Sequence, residues 1–208
     1  MYAITHAATA LPLRRRYPEA SLWPILIAVQ LVELLWVAFT YTGIEHYVVS
    51  GDRIHLSFLP YSHSVATGLL LSAAAFFLLR RRSAPLAAAV AIGITSHVVL
   101  DIIHHEPDIA LLPVAAGPRL GLGLMNVPAL DLLVEIAYGV ACWWIYRGGP
   151  GLLVGIVLLN LADWPLMSPR PGTGSQIAAH PLLLPSVILF QIVLTWVVVA
   201  RLSRTRRG

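Results

Sequence analysis

The residues with the clearest chemical potential lie between positions 96 and 108, where histidines and carboxylates recur at helical spacing. His97 and Asp101 are four positions apart, so on a helix their side chains are neighbours that can hold one metal ion. His104 follows three positions later and falls on the same stripe of the helix. Pro107 is expected to end this helix, because the residue before a proline avoids helical backbone angles.

A second element is expected to bring another histidine to the same depth. His63 stands at the start of an apolar segment that a tight turn at 83–84 joins to the segment of His97. Such a turn packs the two segments side by side, so His63, His97 and Asp101 are predicted to reach a common ion. Together with His104 they form a familiar ligand set for a catalytic divalent ion. Zinc fits this set first, and iron and manganese fit it as well.

The same residues also have a purely structural interpretation. Ser62 can cap the helix that follows it, with His63 at the membrane interface. Asp101 can hold a histidine by a simple hydrogen bond, with His104 exposed to water. The convergence of two elements on one depth favours the metal site over this alternative.

Further carboxylates lie inside apolar segments, where an ionisable side chain is costly unless it pairs or serves a function. Asp131 and Glu135 form an i, i+4 pair that suits a general base, a second metal or a proton relay. Glu33 lies near the middle of its segment, with Gln30 three positions before it. Hydrogen bonding between helices is the alternative role for all three acids.

The elements that must position these residues are apolar helices. The chain has 208 residues, of which 58% are hydrophobic and 12% charged, and this is too apolar for a water-soluble domain. We therefore predict an all-α, polytopic membrane helical bundle of about six transmembrane helices in a single integral membrane domain, residues 1–208. The expected spans are residues 22–43, 63–80, 85–103, 127–146, 152–168 and 182–200.

Arginine clusters beside these spans predict the orientation of the bundle. They occur before the first span, between the second and third, between the fourth and fifth, and after the sixth. The cytoplasmic side carries the excess of basic residues, so both termini are predicted to be cytoplasmic. The net charge of +4 then reflects topology, and nucleic acid is not an expected partner.

Most of the histidines fall on the opposite, outer side under this orientation. His6 is the exception, since it precedes the first span on the arginine-rich side. Seven histidines map to outer loops or outer helix ends: His46, His55, His63, His97, His104, His105 and His180.

The sequence Tyr61-Ser62-His63-Ser64, followed by a span and then by His97 and Asp101 in a His-x-x-x-Asp pattern, resembles a known family. The family comprises small bacterial inner-membrane proteins described as LexA-regulated, membrane-bound, metal-dependent hydrolases, which carry Thr-His-Ser and a later His-x-x-x-Asp. The resemblance covers about residues 55–110, roughly a quarter of the chain. It implies a helical metal site acting on a phosphoester or lipid-like substrate.

Two positions depart from the pattern of that family. Ser62 stands where the family has threonine, and residues 58–61 replace a His-Arg-Gly that commonly precedes the element. One expected ligand is therefore missing, and His46 or His55 from the first outer loop can substitute for it.

These observations lead to one main hypothesis and two alternatives. The main hypothesis is a multi-pass hydrolase of the bacterial inner membrane, in which Asp131 or Glu135 acts as general base toward a water activated by the ion. Membrane lipids surround it, and its substrate is a lipid or phosphoester. The first alternative is a non-enzymatic, cofactor-binding subunit of an oligomer or larger complex. The second is a small proton-coupled transporter that relays protons through Glu33, Asp131 and Glu135.

Overall fold

The fold, seen in a computed structural model that describes residues 1–114 and 117–203, is dominated by helices. In chain order these are α1 (Ala3–Arg16), α2 (Leu22–Val29), α3 (Leu31–Tyr41), α4 (Val65–Leu79), α5 (Ala84–His104), α6 (Pro128–Tyr146), α7 (Pro150–Ala162), α8 (Trp164–Met167), α9 (Thr173–Ala179) and α10 (Leu183–Leu202). Strands β1 (His46–Ser50) and β2 (Arg53–Phe58) form an antiparallel hairpin. Two short strands, β3 (Ile109–Ala110) and β4 (Arg119–Leu120), pair before a single 3₁₀ turn at Leu124–Asn126.

The helices have the length and hydropathy of membrane spans, which confirms the all-α prediction and indicates a membrane protein. Within the described ranges, four segments are long and apolar enough to cross a bilayer: Ala84–His104, Pro128–Tyr146, Pro150–Met167 and Leu183–Leu202. The pair α2 and α3 counts as a fifth if it forms one bent span. The apolar helix α4 has only 15 residues and is shorter than a usual span.

The segment predicted as one straight span over 22–43 is broken at Gln30, and its two halves are bent by 56°. Gln30 leaves helical geometry, and its side-chain amide donates to the carbonyl of Ala3 at 2.6 Å. A break of this kind frees backbone carbonyls from the helix ladder. The carbonyl of Val29 is therefore available to accept a hydrogen bond from another side chain.

Helix α1 lies inside the bundle, where it packs against α2, α5, α6, α7 and α10. Small residues allow this close approach, since Ala7, Ala8 and Ala10 are fully buried. The prediction that His6 lies apart from the other histidines is wrong, because its ring is buried and stacks on that of His97. The reason is that α1 forms an additional inserted helix, which the hydropathy pattern did not reveal.

The two ends of the bundle differ in their residues. We call the end where Asp101 and Asp131 lie the site end, and the end where Arg15 lies the arginine-rich end. Asp131 is in the first turn of α6, whereas Arg15 donates to the carbonyl of Ile145 near the last turn of the same helix. Met1 contacts Asp101 at the site end, and Tyr146 donates to the carbonyl of Ser203 at the other. The first and last described residues thus lie at opposite ends, although the sequence predicted both termini on one side. The inserted helix α1 accounts for the difference.

Apolar side chains fill the arginine-rich half of the bundle and cover its outside. The internal cluster includes Ile4, Leu11, Ile25, Leu26, Leu152, Ile156 and Val199. The outer face of α4 exposes Leu69, Leu70, Phe77 and Leu78. Large exposed apolar surfaces of this kind fit contact with lipid tails.

The β1–β2 hairpin and helix α9 close the site end, and we call them the cover. The Asp52 carboxylate, at the turn of the β1–β2 hairpin, accepts hydrogen bonds from the backbone nitrogens of Gly172 and Gly174 beside α9, at 3.3 and 2.8 Å. A Cβ at Gly174 would lie 1.9 Å from the carbonyl oxygen of Gly51, so the hairpin and α9 approach as closely as glycine permits.

Candidate metal centre

Three histidine rings converge on the buried carboxylate of Asp101. Its Oδ1 lies 3.2 Å from Nε2 of His6, and its Oδ2 lies 3.0 Å from Nε2 of His97 and 3.8 Å from Nε2 of His63. Oδ1 is also 3.2 Å from the amino nitrogen of Met1. The sequence predicted that His63, His97 and Asp101 meet, and the α4–α5 hairpin does bring them together.

The ring of His97 is oriented by the break between α2 and α3. Its Nδ1 lies 2.8 Å from the carbonyl oxygen of Val29, which can only accept, so Nδ1 carries the hydrogen. The lone pair of the fully buried Nε2 then faces the Asp101 carboxylate. Two lone pairs at 3.0 Å repel each other unless a proton or a metal ion lies between them. His97 could therefore bind a metal ion through Nε2 while a carbonyl fixes its second nitrogen, which is a usual arrangement for histidine ligands.

His6 reinforces this conclusion. Its ring stacks on that of His97 with centroids 3.9 Å apart and an interplanar angle of 14°. Among the described residues, both ring nitrogens of His6 and Nε2 of His97 have no hydrogen-bond partner, although all three are buried. Unpartnered buried nitrogens are costly, and a bound ion would satisfy them.

His63 is held by a chain of hydrogen bonds that begins at Glu45. The Ser62 hydroxyl donates to Oε2 of Glu45 at 2.5 Å, so its oxygen accepts from Nδ1 of His63 at 2.8 Å. Glu45 also accepts from the backbone nitrogens of Tyr61 and Ser62. Nε2 is consequently the ring nitrogen of His63 that lies on the side of Asp101 and Glu33. Ser62 is therefore not the helix cap; that role belongs to Ser64, whose Oγ accepts from the nitrogen of Thr67.

Glu33, in the first turn of α3, adds a carboxylate beside His63. Its Oε1 lies 3.6 Å from Nε2 of His63. Burial alone lowers the pKa of His63, but the neighbouring Glu33 carboxylate outweighs burial and raises that pKa above its ordinary value. We call this set the first cluster. It combines two groups of potential ligands that share His97: His6, His97 and Asp101 form one, and Glu33, His63 and His97 form the other.

His104 belongs to a different group from the one that the sequence suggested. Its Nδ1 lies 3.1 Å from Oδ1 of Asp131 and 3.6 Å from Oε1 of Glu135. All three side chains are buried, and one potential ligand atom of each lies within 4.8 Å of the others. We call His104, Asp131 and Glu135 the second cluster.

Helix α1 supports the second cluster as well. The hydroxyl of Thr5 donates to Oε2 of Glu135 at 2.6 Å, and the backbone nitrogen of Tyr2 lies 3.2 Å from both oxygens of that carboxylate. The Tyr2 ring meets the ring of His104 edge to face, with centroids 5.3 Å apart. Oδ2 of Asp131 is buried and has no hydrogen-bond partner among the described residues.

A cavity of about 400 Å³ borders both clusters. Glu33 and His63 of the first cluster and His104 of the second line one part of it. Its other walls come from α3, α9, α10 and the cover, and they include Trp36, Ile54, Ile177, Leu184 and Ile188. The cavity therefore joins a polar wall of potential ligands to a mainly apolar chamber.

Three of the outer-side histidines, His46, His55 and His180, lie outside the two clusters, and so does the buried Asp163. Asp163 accepts a hydrogen bond from the side chain of Gln191 at 2.7 Å. His55 lies 3.6 Å from the carboxylate of Glu106, and His46 and His180 are exposed. Neither histidine of the first outer loop joins the first cluster.

Two residues that build the first cluster or hold it in place, His6 and Glu45, were not predicted from the sequence. A signal for His6 was present, since Thr5, His6 and Thr9 interrupt an alanine-rich stretch at helical spacing. For Glu45 we find no such signal, because its position depends on how the loop after α3 folds back on residues 61 and 62.

A comparison of the chain with known family models, curated proteins and solved structures gives no significant match.

Proposed function

We propose that the protein is a metal-dependent hydrolase whose ion is held by His6, His63, His97 and Asp101. The observation that carries this proposal is the convergence of three buried imidazoles on one carboxylate, with buried ring nitrogens of His6 and His97 that make no hydrogen bond in the described part of the chain. Nitrogen and carboxylate donors of this kind suit zinc first, and iron or manganese next. The partial resemblance to LexA-regulated membrane hydrolases agrees with this proposal.

When bound, the ion supplies a Lewis acid and lowers the pKa of a coordinated water toward neutrality. Glu33 borders the cavity beside His63, and we assign it the role of general base, which the sequence gave to Asp131 or Glu135. Val29 and Ser62 act through the histidines, because they fix which ring nitrogen of His97 and of His63 faces the ion.

The cavity supports an amphiphilic substrate. Its polar wall presents Glu33 and His63, where a scissile ester or phosphoester would lie. The lining also includes the apolar side chains of Trp36, Leu184 and Ile188, which suit an acyl or prenyl chain. A lipid-like ester is therefore the substrate class that we propose.

The distribution of arginines supports the proposed topology. We take six apolar segments as spans, with α2–α3 and α7–α8 each counted as one, and in the proposed topology they alternate in direction between the site end and the arginine-rich end. We propose that the arginine-rich end faces the cytoplasm and that the site faces the outer side of a bacterial inner membrane.

Hydrolysis is favoured over proton-coupled transport by the position of the acids. Glu33, Asp101, Asp131 and Glu135 all lie at the site end, whereas the opposite half of the bundle is filled by the apolar cluster around Leu11, Leu26 and Ile156. A proton relay across the membrane needs titratable groups along its path.

Two variants test the proposal directly. Purified wild-type protein is expected to hold a divalent ion by elemental analysis, and His97→Ala is expected to lose it, while the exposed His180→Ala retains it. Glu33→Gln is expected to keep the ion and to lose turnover of a lipid phosphoester, by about 100-fold or more for loss of a general base. Metal content that is unaffected by His97→Ala would remove this function.

A further inference from the structure

We propose that the second cluster is a separate binding site for a divalent cation, with His104, Asp131 and Glu135 as its ligands. The proposal concerns residues other than those assigned to the hydrolytic ion, so it stands or falls independently of the proposed function. Three features of the cluster support it: the ligand geometry, the buried oxygen of Asp131 without a hydrogen-bond partner among the described residues, and the hydrogen bonds that hold Glu135.

The charges within the cluster call for a cation. Two carboxylates approach one imidazole nitrogen, with Oδ1 of Asp131 at 3.1 Å and Oε1 of Glu135 at 3.6 Å from Nδ1 of His104. Asp131 and Glu135 are 1% and 0% exposed, so water does not screen their repulsion. Burying two ionised carboxylates is strongly unfavourable unless a proton or a metal cation compensates their charge, and the histidine beside them makes a metal cation a suitable partner.

One oxygen in the cluster is left for a ligand. Oδ2 of Asp131 is buried and has no hydrogen-bond partner in the described part of the chain, which is rare for a carboxylate oxygen in this environment. With Oε1 of Glu135 and Nδ1 of His104, the Asp131 carboxylate offers a third ligand to one ion. A set of two carboxylates and one histidine contains more oxygen than the first cluster, and so suits manganese or iron as well as zinc.

The groups behind Glu135 resemble the supports that orient metal ligands. The Thr5 hydroxyl holds Oε2 at 2.6 Å, and Asn160, 3.4 Å from the same hydroxyl, is fixed by its own bond to the carbonyl of Ile156. These contacts leave Oε1 on the side of His104. Outer supports of this kind fix a ligand in its binding geometry.

The two sites would flank one cavity. Asp101 of the first cluster and His104 of the second are three positions apart on α5, so their Cβ atoms are neighbours at about 5–6 Å. His63 and His104 both line the cavity. A substrate in the cavity would therefore contact two cation sites from different sides, as in hydrolases that use two metals.

The test is the stoichiometry of metal binding in purified, detergent-solubilised protein, titrated with Mn²⁺ and with Zn²⁺ alone. Wild type is expected to bind two ions. Asp131→Asn, which keeps the shape of the side chain, is expected to bind one, and His97→Ala is expected to bind one. The double variant is expected to bind none. Mn²⁺ electron paramagnetic resonance gives a second readout, since loss of one site removes its signal.

The outcomes separate this inference from the proposed function. If wild type and Asp131→Asn each bind one ion, the second site is refuted. If His97→Ala binds as many ions as wild type while Asp131→Asn binds one fewer, the second site stands and the first is refuted. Glu135→Gln provides a replacement if Asp131→Asn fails to fold, as judged by size-exclusion chromatography, and it is expected to lose the same ion.

Discussion

Replacing Ser62 by alanine tests how the protein orients the proposed metal ligand His63, because Ser62 bonds to the ring of His63 and does not itself contact the proposed ion. The hydroxyl accepts from Nδ1 of His63 at 2.8 Å and donates to Glu45 at 2.5 Å. Its loss leaves the Nδ1 hydrogen buried without an acceptor, which costs about 1–3 kcal/mol. Glu45 retains two backbone donors, from Tyr61 and Ser62, and so is expected to stay in place.

The expected result is weaker metal binding with an intact fold. Loss of a group that orients a ligand typically lowers metal affinity by about 10–100-fold, or roughly 1.4–2.8 kcal/mol. The assay is competition between the purified protein and a zinc-binding dye. Ser62→Thr keeps a hydroxyl and is expected to bind zinc as wild type does, in keeping with the threonine of the family that the sequence resembles.

Ser64→Ala is the matched control for this experiment. Ser64 lies on the other side of His63 and caps α4, so its replacement is expected to cost about 1 kcal/mol of stability without changing metal affinity. Equal zinc affinity for Ser62→Ala and wild type would refute the reasoning. Equal losses for Ser62→Ala and Ser64→Ala would do so too, because they would point to general destabilisation.

Three further predictions address the cavity, its cover and the helix packing. Ile188→Trp narrows the cavity, so turnover of long-chain substrates should fall more than that of short-chain ones at unchanged metal content; equal loss for both would contradict the assigned wall. Asp52→Ala removes the two hydrogen bonds between the hairpin and the start of α9, so backbone hydrogen exchange at 46–58 should rise while exchange in α5 does not. Gly68→Val should lower the melting temperature, because a Cβ there would lie 2.3 Å from Cγ2 of Val98 and overpacking costs about 1–3 kcal/mol. An unchanged melting temperature would show that α4 and α5 can separate freely.

The parts of the site that the sequence predicted depend on local rules. The i, i+4 spacing placed His97 beside Asp101, and α5 ends at His104, before Pro107, as the proline rule requires. The short turn between α4 and α5 then forced His63 to the same depth. Each of these inferences needs only neighbouring residues or one tight turn.

The parts that the sequence did not predict depend on how helices are placed in space. Helical periodicity put His104 on the stripe of Asp101, but whether it faces α4 or α6 is decided by packing, and it faces Asp131 on α6. The bend at Gln30 is invisible to a hydropathy average over a whole span. The burial of α1 was hidden because its polar residues and its terminal arginines lower its hydropathy.

The inserted position of α1 has a consequence for the order in which the site can assemble. Thr5 reaches Glu135, 130 positions away, and approaches Asn160, 155 positions away, so its partners belong to helices much later in the chain. Contacts over such separations form slowly, since long stretches of chain must be brought together first. We therefore expect His6 to pack on His97 only after α6 and α7 have enclosed α1. A metal ion that requires His6 as a ligand would then bind late in the assembly of the bundle.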